Sequence, residues 1–211
     1  MAYFLEMLGA ALVLVSSSVF IAQKAEAQPL PENTIYLVKN GEKKPLLFPG
    51  KAFWELKNDK TERPGVGKTE SRLEKQGNQV WMRGDLASLM GNWGRVGFSL
   101  IETAIMKPLQ KTEGLFFKAK GTEAAFFSIL VKDRQSHQPE GTLTFQWDFE
   151  AQSDGAEYFA KWEDFVPKIR GKKVEGFELD LFSVQSLSFQ ISRSQQQKWY
   201  ETVPLEFELG I

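Results

Sequence analysis

The feature that most limits what this chain can become is a persistent alternation of apolar and polar residues with a period of two. In Leu143-Thr-Phe-Gln-Trp-Asp-Phe-Glu150, the residues Leu143, Phe145, Trp147 and Phe149 fall on one side, and Thr144, Gln146, Asp148 and Glu150 on the other. The same spacing recurs in Phe177, Leu179, Leu181, in Leu187, Phe189, Ile191, and in Val203, Leu205, Phe207, Leu209, Ile211. A helix would place such residues on opposite faces, whereas a strand gathers them on one. A strand with one apolar face packs on an opposing layer and wets its other side, the arrangement of antiparallel sheets. The continuous apolar run from Ala124 to Val131 reads as a central strand covered on both sides. Turn signals separate these stretches at Gly65-Val-Gly67, Gly91-Asn-Trp-Gly94, Gln138-Pro-Glu-Gly141, Ser153-Asp-Gly155 and Arg170-Gly171. Many short strands with such punctuation specify an all-β sandwich or barrel. Thr34 to Val38 reads as a short edge strand, Glu70 to Trp81 as a strand and hairpin, and Leu86–Met90 and Ala156–Trp162 as single helical turns.

Residues 1–27 have a different character. From Leu8 to Ala22 the sequence is apolar or small, and it runs into Ala25-Glu26-Ala27. That is the layout of an export signal cut after Ala27. Yet Met1 to Glu6 carries no Lys or Arg, so a retained membrane anchor stands beside it, since Tyr3 to Gln23 is about the ~20 residues that cross a bilayer. Either reading places the protein outside the cytoplasm or tethered to a membrane. Residues 28–45 read as linker and edge strand, and 46–211 as one domain.

Chemistry is sparsely provided for. With no cysteine and one histidine, His137, the chain lacks the ligands for a zinc or copper site and implies no metal or other cofactor. A Ser-His-Asp triad would have to use His137, which sits in a predicted loop without a nucleophile motif. Gly65-Val-Gly-Lys-Thr69 imitates a phosphate loop, but Glu62 occupies the place of its first glycine. Asp148 and Glu150 share a strand face, as the two carboxylates of a glycosidase would, and equally as those of any solvated face do. With 26 basic and 27 acidic residues interspersed, the chain has no patch suited to nucleic acid. Among six tryptophans, Trp93 and Trp162 are the best candidates for exposed platforms that stack on a sugar or a partner.

Several segments together resemble the complex I intermediate-associated protein 30 family. They are Trp54 followed by Asn58-Asp59, the stretch Pro64-Gly-Val-Gly-Lys-Thr-Glu-Ser-Arg-Leu73, and Arg83-Gly-Asp-Leu86. Gly114-Leu-Phe-Phe-Lys-Ala-Lys-Gly121, Asp164-Phe-Val-Pro-Lys-Ile-Arg-Gly171 and Val184-Gln-Ser-Leu-Ser-Phe-Gln-Ile-Ser192 continue the likeness. The turn at Gly65-Val-Gly-Lys68 departs from the family's usual Val-Met-Gly-Gly, which marks a divergent member. The resemblance implies a galactose-binding-like jelly-roll sandwich without catalytic residues. It also implies a role in assembling membrane protein complexes.

The expectation is therefore a non-enzymatic binding or assembly module whose end loops hold a protein partner. Asp59, Arg63, Lys68, Trp93, Arg95, Trp162 and Arg170 are the candidate binding residues. A secreted carbohydrate-binding module is the alternative.

Overall fold

The computed structural model describes residues 33–88, 96–196 and 203–211. The signal or anchor segment at 1–27 lies outside them. Along the chain the strands are β1 (Ile35–Lys39), β2 (Glu42–Leu47), β3 (Glu55–Asn58), β4 (Glu70–Gln76), β5 (Gln79–Leu86), β6 (Phe98–Ala104) and β7 (Gly114–Gly121). They continue as β8 (Phe126–Lys132), β9 (His137–Gln138), β10 (Gly141–Glu150), β11 (Ala156–Lys161), β12 (Val166–Ile169), β13 (Lys172–Lys173), β14 (Ser186–Ser192) and β15 (Leu205–Gly210). One helical turn, α1 (Asp59–Glu62), follows β3.

These strands form two antiparallel sheets. The first runs β2-β1-β7-β15-β5-β4, with β11 on the other edge of β7; the second runs β13-β12-β10-β8-β14-β6-β3, with the short β9 on β10. The inward side chains of the two layers interdigitate. Phe117 on β7 lies 5.4 Å from Phe189 and 5.5 Å from Phe149, both in the second sheet, and stacks at 5.2 Å on Tyr158 of β11. Ile101, Phe127, Ile129, Leu143 and Phe145 extend this core along the second sheet, and Met82, Leu86, Phe207 and Leu209 along the first. The alternation thus becomes an antiparallel β-sandwich. β8, from the continuous apolar run, is central and covered on both sides, with Ser128 and Leu130 buried as well as Phe127 and Ile129.

Four expectations need correction. Thr34–Val38 supplies no edge: β1 lies between β2 and β7, and Ile35 is buried, so the sandwich begins at Ile35 and not at residue 46. Ala156–Lys161 is the strand β11 and not a helical turn, because Tyr158 and Ala160 must face Phe117 while Glu157 and Lys161 face water. Phe177, Leu179 and Leu181 pack against the core without forming a strand; the amides of Asp180 and Leu109 tie this segment down instead, through Asp133 Oδ2 and the Leu181 carbonyl. Val203 is 58% exposed, and the last strand starts at Leu205. Leu86 closes β5, and the rest of its proposed helical turn lies partly outside the described residues.

Burial of this kind sets a clear contrast. Phe189→Ala should cost about 3–5 kcal/mol by removing a ring from the inter-sheet core. Phe182→Ala, at a 63% exposed position, should change stability by less than about 0.5 kcal/mol. Urea unfolding midpoints of the two variants check the difference.

Candidate functional site at the two ends of the sandwich

At one end, the loop after α1 is organised by a single buried carboxylate. Asn58 caps α1: its Oδ1 accepts the Thr61 amide, and Thr61 Oγ1 accepts the Asn58 amide. Asp59, the next residue, is 0% exposed. Its Oδ2 accepts the Lys68 amide at 3.1 Å and its Oδ1 the Thr69 amide at 3.2 Å, so both oxygens are spent on the far side of the loop. Gly67 is required there, because a Cβ would stand 1.9 Å from the Asp59 carbonyl oxygen. Thr69 Oγ1 then accepts the Ala87 amide, and Arg63 Nη2 donates to the Val96 carbonyl while its guanidinium rests over Phe98. Loop 59–69 is thereby stitched to the chain on both sides of residues 89–95. The imitation of a phosphate loop is explained as well: the amides that would cradle a phosphate are taken by Asp59.

The candidate residues do not form one rim. Asp59 is an internal fastener, Arg63 is half-buried against Phe98, and Lys68 is exposed on the fastened loop. Trp93 and Arg95 lie outside the described residues. Trp162 is only 9% exposed, its Nε1 donating to Thr112 Oγ1 and its ring 5.4 Å from Phe165. Trp162 is thus a wall of the core and not an exposed platform. Arg170 and Gly171 form the two-residue turn between β12 and β13, both with positive φ (51° and 78°), as such hairpins require. That turn follows Ile169, paired with Leu143, whereas the row of Asn58 passes through Ser99, Ile191 and Phe127 to Phe149. Leu143 and Phe149 are separated by roughly 20 Å of β10. The two groups of candidates occupy opposite ends.

Between the ends, the outer face of the second sheet carries two polar hubs, one around Glu102, which sequence inspection missed, and one around Asp148, which it read only as half of a carboxylate pair. Glu102, 11% exposed, accepts hydrogen bonds from Lys132 Nζ (2.6 Å), Ser186 Oγ (2.7 Å) and Lys57 Nζ (2.8 Å). Burial pushes its carboxyl upward, but the donors from Lys132, Lys57 and Ser186 outweigh that and bring it down to about 2. Asp148 Oδ1 accepts from Ser128 Oγ (2.6 Å), Gln146 Nε2 (2.6 Å) and Gln195 Nε2 (3.0 Å). A carboxylate so engaged is a structural acceptor, which weighs against Asp148 and Glu150 as a hydrolytic pair. His137 is exposed on β9, and no group of three or more metal-ligating side chains occurs among the described residues.

The end that carries Arg170 also holds features the sequence reading passed over. Phe53, Met106 and Phe182 are 83%, 95% and 63% exposed. One signal was available: Leu181 and Phe182 are consecutive apolar residues, so one of them must face out.

The chain matches the family of complex I intermediate-associated protein 30 over residues 48–211, and it belongs to that family. The match begins just after β2, so β1 and β2 lie outside the matched region. No curated protein matches the chain. Among solved structures it is similar to a family 11 carbohydrate-binding module from Clostridium thermocellum in complex with a β-1,3-1,4-mixed-linked tetrasaccharide. That structure is 13% identical with a TM-score of 0.50, and the match covers 83% of this chain and 92% of that one. A family 11 module of the cellulase Lic26A-Cel5E of the same organism is 13% identical (TM-score 0.44, covering 74% and 83%). A family 29 module from Piromyces equi is 10% identical (TM-score 0.32, covering 76% and 91%). At these identities the first likeness bears on the fold alone, an antiparallel sandwich of the galactose-binding-like kind.

Two outcomes follow from the geometry. Asp59→Ala should destabilise by about 2–4 kcal/mol, because the buried Thr69 amide and the partly buried Lys68 amide lose their acceptor; Asp59→Asn, which keeps one carbonyl oxygen, should cost less, and thermal unfolding ranks them. Glu102 has its folded value depressed from 4.5 to about 2, so its contribution is complete above about pH 4.5 and is lost as pH falls towards 2. Acid unfolding should therefore be shallower across that window in Glu102→Gln than in the parent, as read by denaturant titration at each pH.

Proposed function

We propose that this domain is a non-catalytic binding module that assists the assembly of a membrane protein complex, acting from an exported or membrane-anchored position. It holds its protein partner at the end built around Asp59. The observation that carries this reading is the buried Asp59 carboxylate. It spends both oxygens on the backbone of an exposed loop and so fixes that loop in one shape before any partner arrives. A loop ordered in advance loses little entropy on binding, and its affinity is correspondingly better. Family membership supports the assembly role, and the three donors gathered on Glu102 support a scaffold over an enzyme.

The presented surface is mixed in charge. Lys60 pairs with Glu70 at 2.6 Å, Lys68 is exposed, and the half-buried Arg63 offers part of its guanidinium beside Phe98. Such a surface fits a polar protein rim more than an apolar groove. A second reading, a secreted carbohydrate-binding module, draws on the outer face of the second sheet. There Ser188 Oγ and Gln195 Oε1 are buried without a hydrogen-bond partner. The burial of Trp162 removes one of the two aromatic platforms that reading relied on.

Affinity purification of the full chain from its native membranes separates the two. Subunits of a membrane complex should be retained, and Lys68→Glu should reduce their recovery about tenfold with the unfolding midpoint unchanged. Recovery undiminished by Lys68→Glu, or retention on a glycan array with no protein recovered, contradicts the proposal.

A further inference from the structure

Three segments meet at the end of the sandwich away from Lys68. The antiparallel register of β3 on β6, with Glu55 opposite Glu102, brings Phe53 beside the end of β6. Past that end, the Ile105 amide donates to the Gln185 carbonyl and the Leu109 amide to the Leu181 carbonyl, both at 2.8 Å. Met106 lies between these two bonds on one segment, and Phe182 between them on the other. Phe182 tops a turn held by the Ser183 amide on the Asp180 carbonyl. Phe53, Met106 and Phe182 thus stand out at one end, at 83%, 95% and 63% exposure. Apolar side chains this exposed cost free energy in water unless something covers them.

What covers them is indicated by the charge beside them. The segments 48–54, 105–111 and 181–185 contain Lys51, Lys107 and Lys111 and not one acidic residue, in a chain that is otherwise balanced. All three lysines are exposed. The two acids that directly flank these segments are already paired, Asp180 with Arg134 at 3.1 Å and Glu55 with Lys57 at 3.0 Å. The apolar side chains rise singly from separate loops, which suits insertion among headgroups better than docking into a protein groove. Lysines around them are attracted to anionic lipid and lay their apolar stems along the boundary.

We propose that this end of the sandwich docks on the surface of an anionic lipid bilayer. Phe53, Met106 and Phe182 enter the headgroup boundary, and Lys51, Lys107 and Lys111 lie over the phosphates. The inference is independent of the partner assigned to the Asp59 end, and the two contacts occupy opposite ends of one rigid sandwich.

The absence of cysteine makes a local test available, and a local test is needed because the apolar stretch before residue 28 would itself bring the full chain to lipid. Met106→Cys and, separately, Phe182→Cys are labelled with an environment-sensitive fluorophore, and Lys68→Cys serves as the reporter at the other end. With phosphatidylcholine vesicles containing about one-third phosphatidylglycerol, the labels at 106 and 182 should shift to the blue and brighten severalfold, while the label at 68 stays aqueous. The shift should vanish on pure phosphatidylcholine, at high salt, and when Lys51, Lys107 and Lys111 are all changed to Gln. The proposal is overturned by aqueous emission at 106 and 182 on anionic vesicles, or by equal shifts at both ends. A shift that appears with extracted membrane proteins but not with lipid would overturn it too, by identifying a protein occupant.

Discussion

The two sheets meet at Phe117. Its ring contacts Phe149 and Phe189 across the interface and Tyr158 on its own side, so one residue of β7 ties together strands remote in sequence. Aromatic contacts of this geometry contribute about 0.5–1.5 kcal/mol each beyond the area they bury. More important, they fix the register of the layers, because slipping β7 by one residue would turn Phe117 to water and bring Phe116 or Lys118 inward. The loops at either end keep their separation because this interface holds.

On that frame, polar groups work mainly as fasteners. Glu102 gathers Lys57, Lys132 and Ser186 from three neighbouring strands, β3, β8 and β14, on the outer face of the second sheet. Asp148 gathers Ser128, Gln146 and Gln195 beside it. Asp59 does the same for a loop, using backbone amides as donors. A carboxylate withdrawn from water is stable only when donors satisfy its oxygens, and Asp59 and Glu102 meet that condition, whereas Asp148 stays exposed and is held through its Oδ1. These fasteners hold the loops at the two ends of the sandwich in place relative to the sheets.

Most of the fold was legible, because burial on one face leaves its mark at every second residue. β10, β14, β15 and the β4–β5 hairpin follow from alternation and turn residues, and β8 from its continuous apolar run. The failures have physical reasons. Ala156 and Ala160 favour helix intrinsically, but the contact of Tyr158 with Phe117 overrides propensity, and that contact is invisible without the other strand. Phe177, Leu179 and Leu181 alternate as a strand does, yet their backbone partners are a carboxylate and a loop amide. At the site, the Asn58-Asp59 pair and the glycine turn were visible as a constellation, but their role was not. A carboxylate accepting amides nine and ten residues onward produces no side-chain pattern. Exposure of Phe53 and Met106 is equally unreadable, since both types are more often inside.

The claim on which most depends is that Asp59 holds an exposed loop rigid. Amide hydrogen exchange at Lys68 and Thr69, read residue by residue in the intact chain, tests it most directly. The account expects both amides to exchange as slowly as those of β5, because opening either one breaks a bond to a buried carboxylate. Exchange within seconds, at the rate of an unprotected loop, would contradict it.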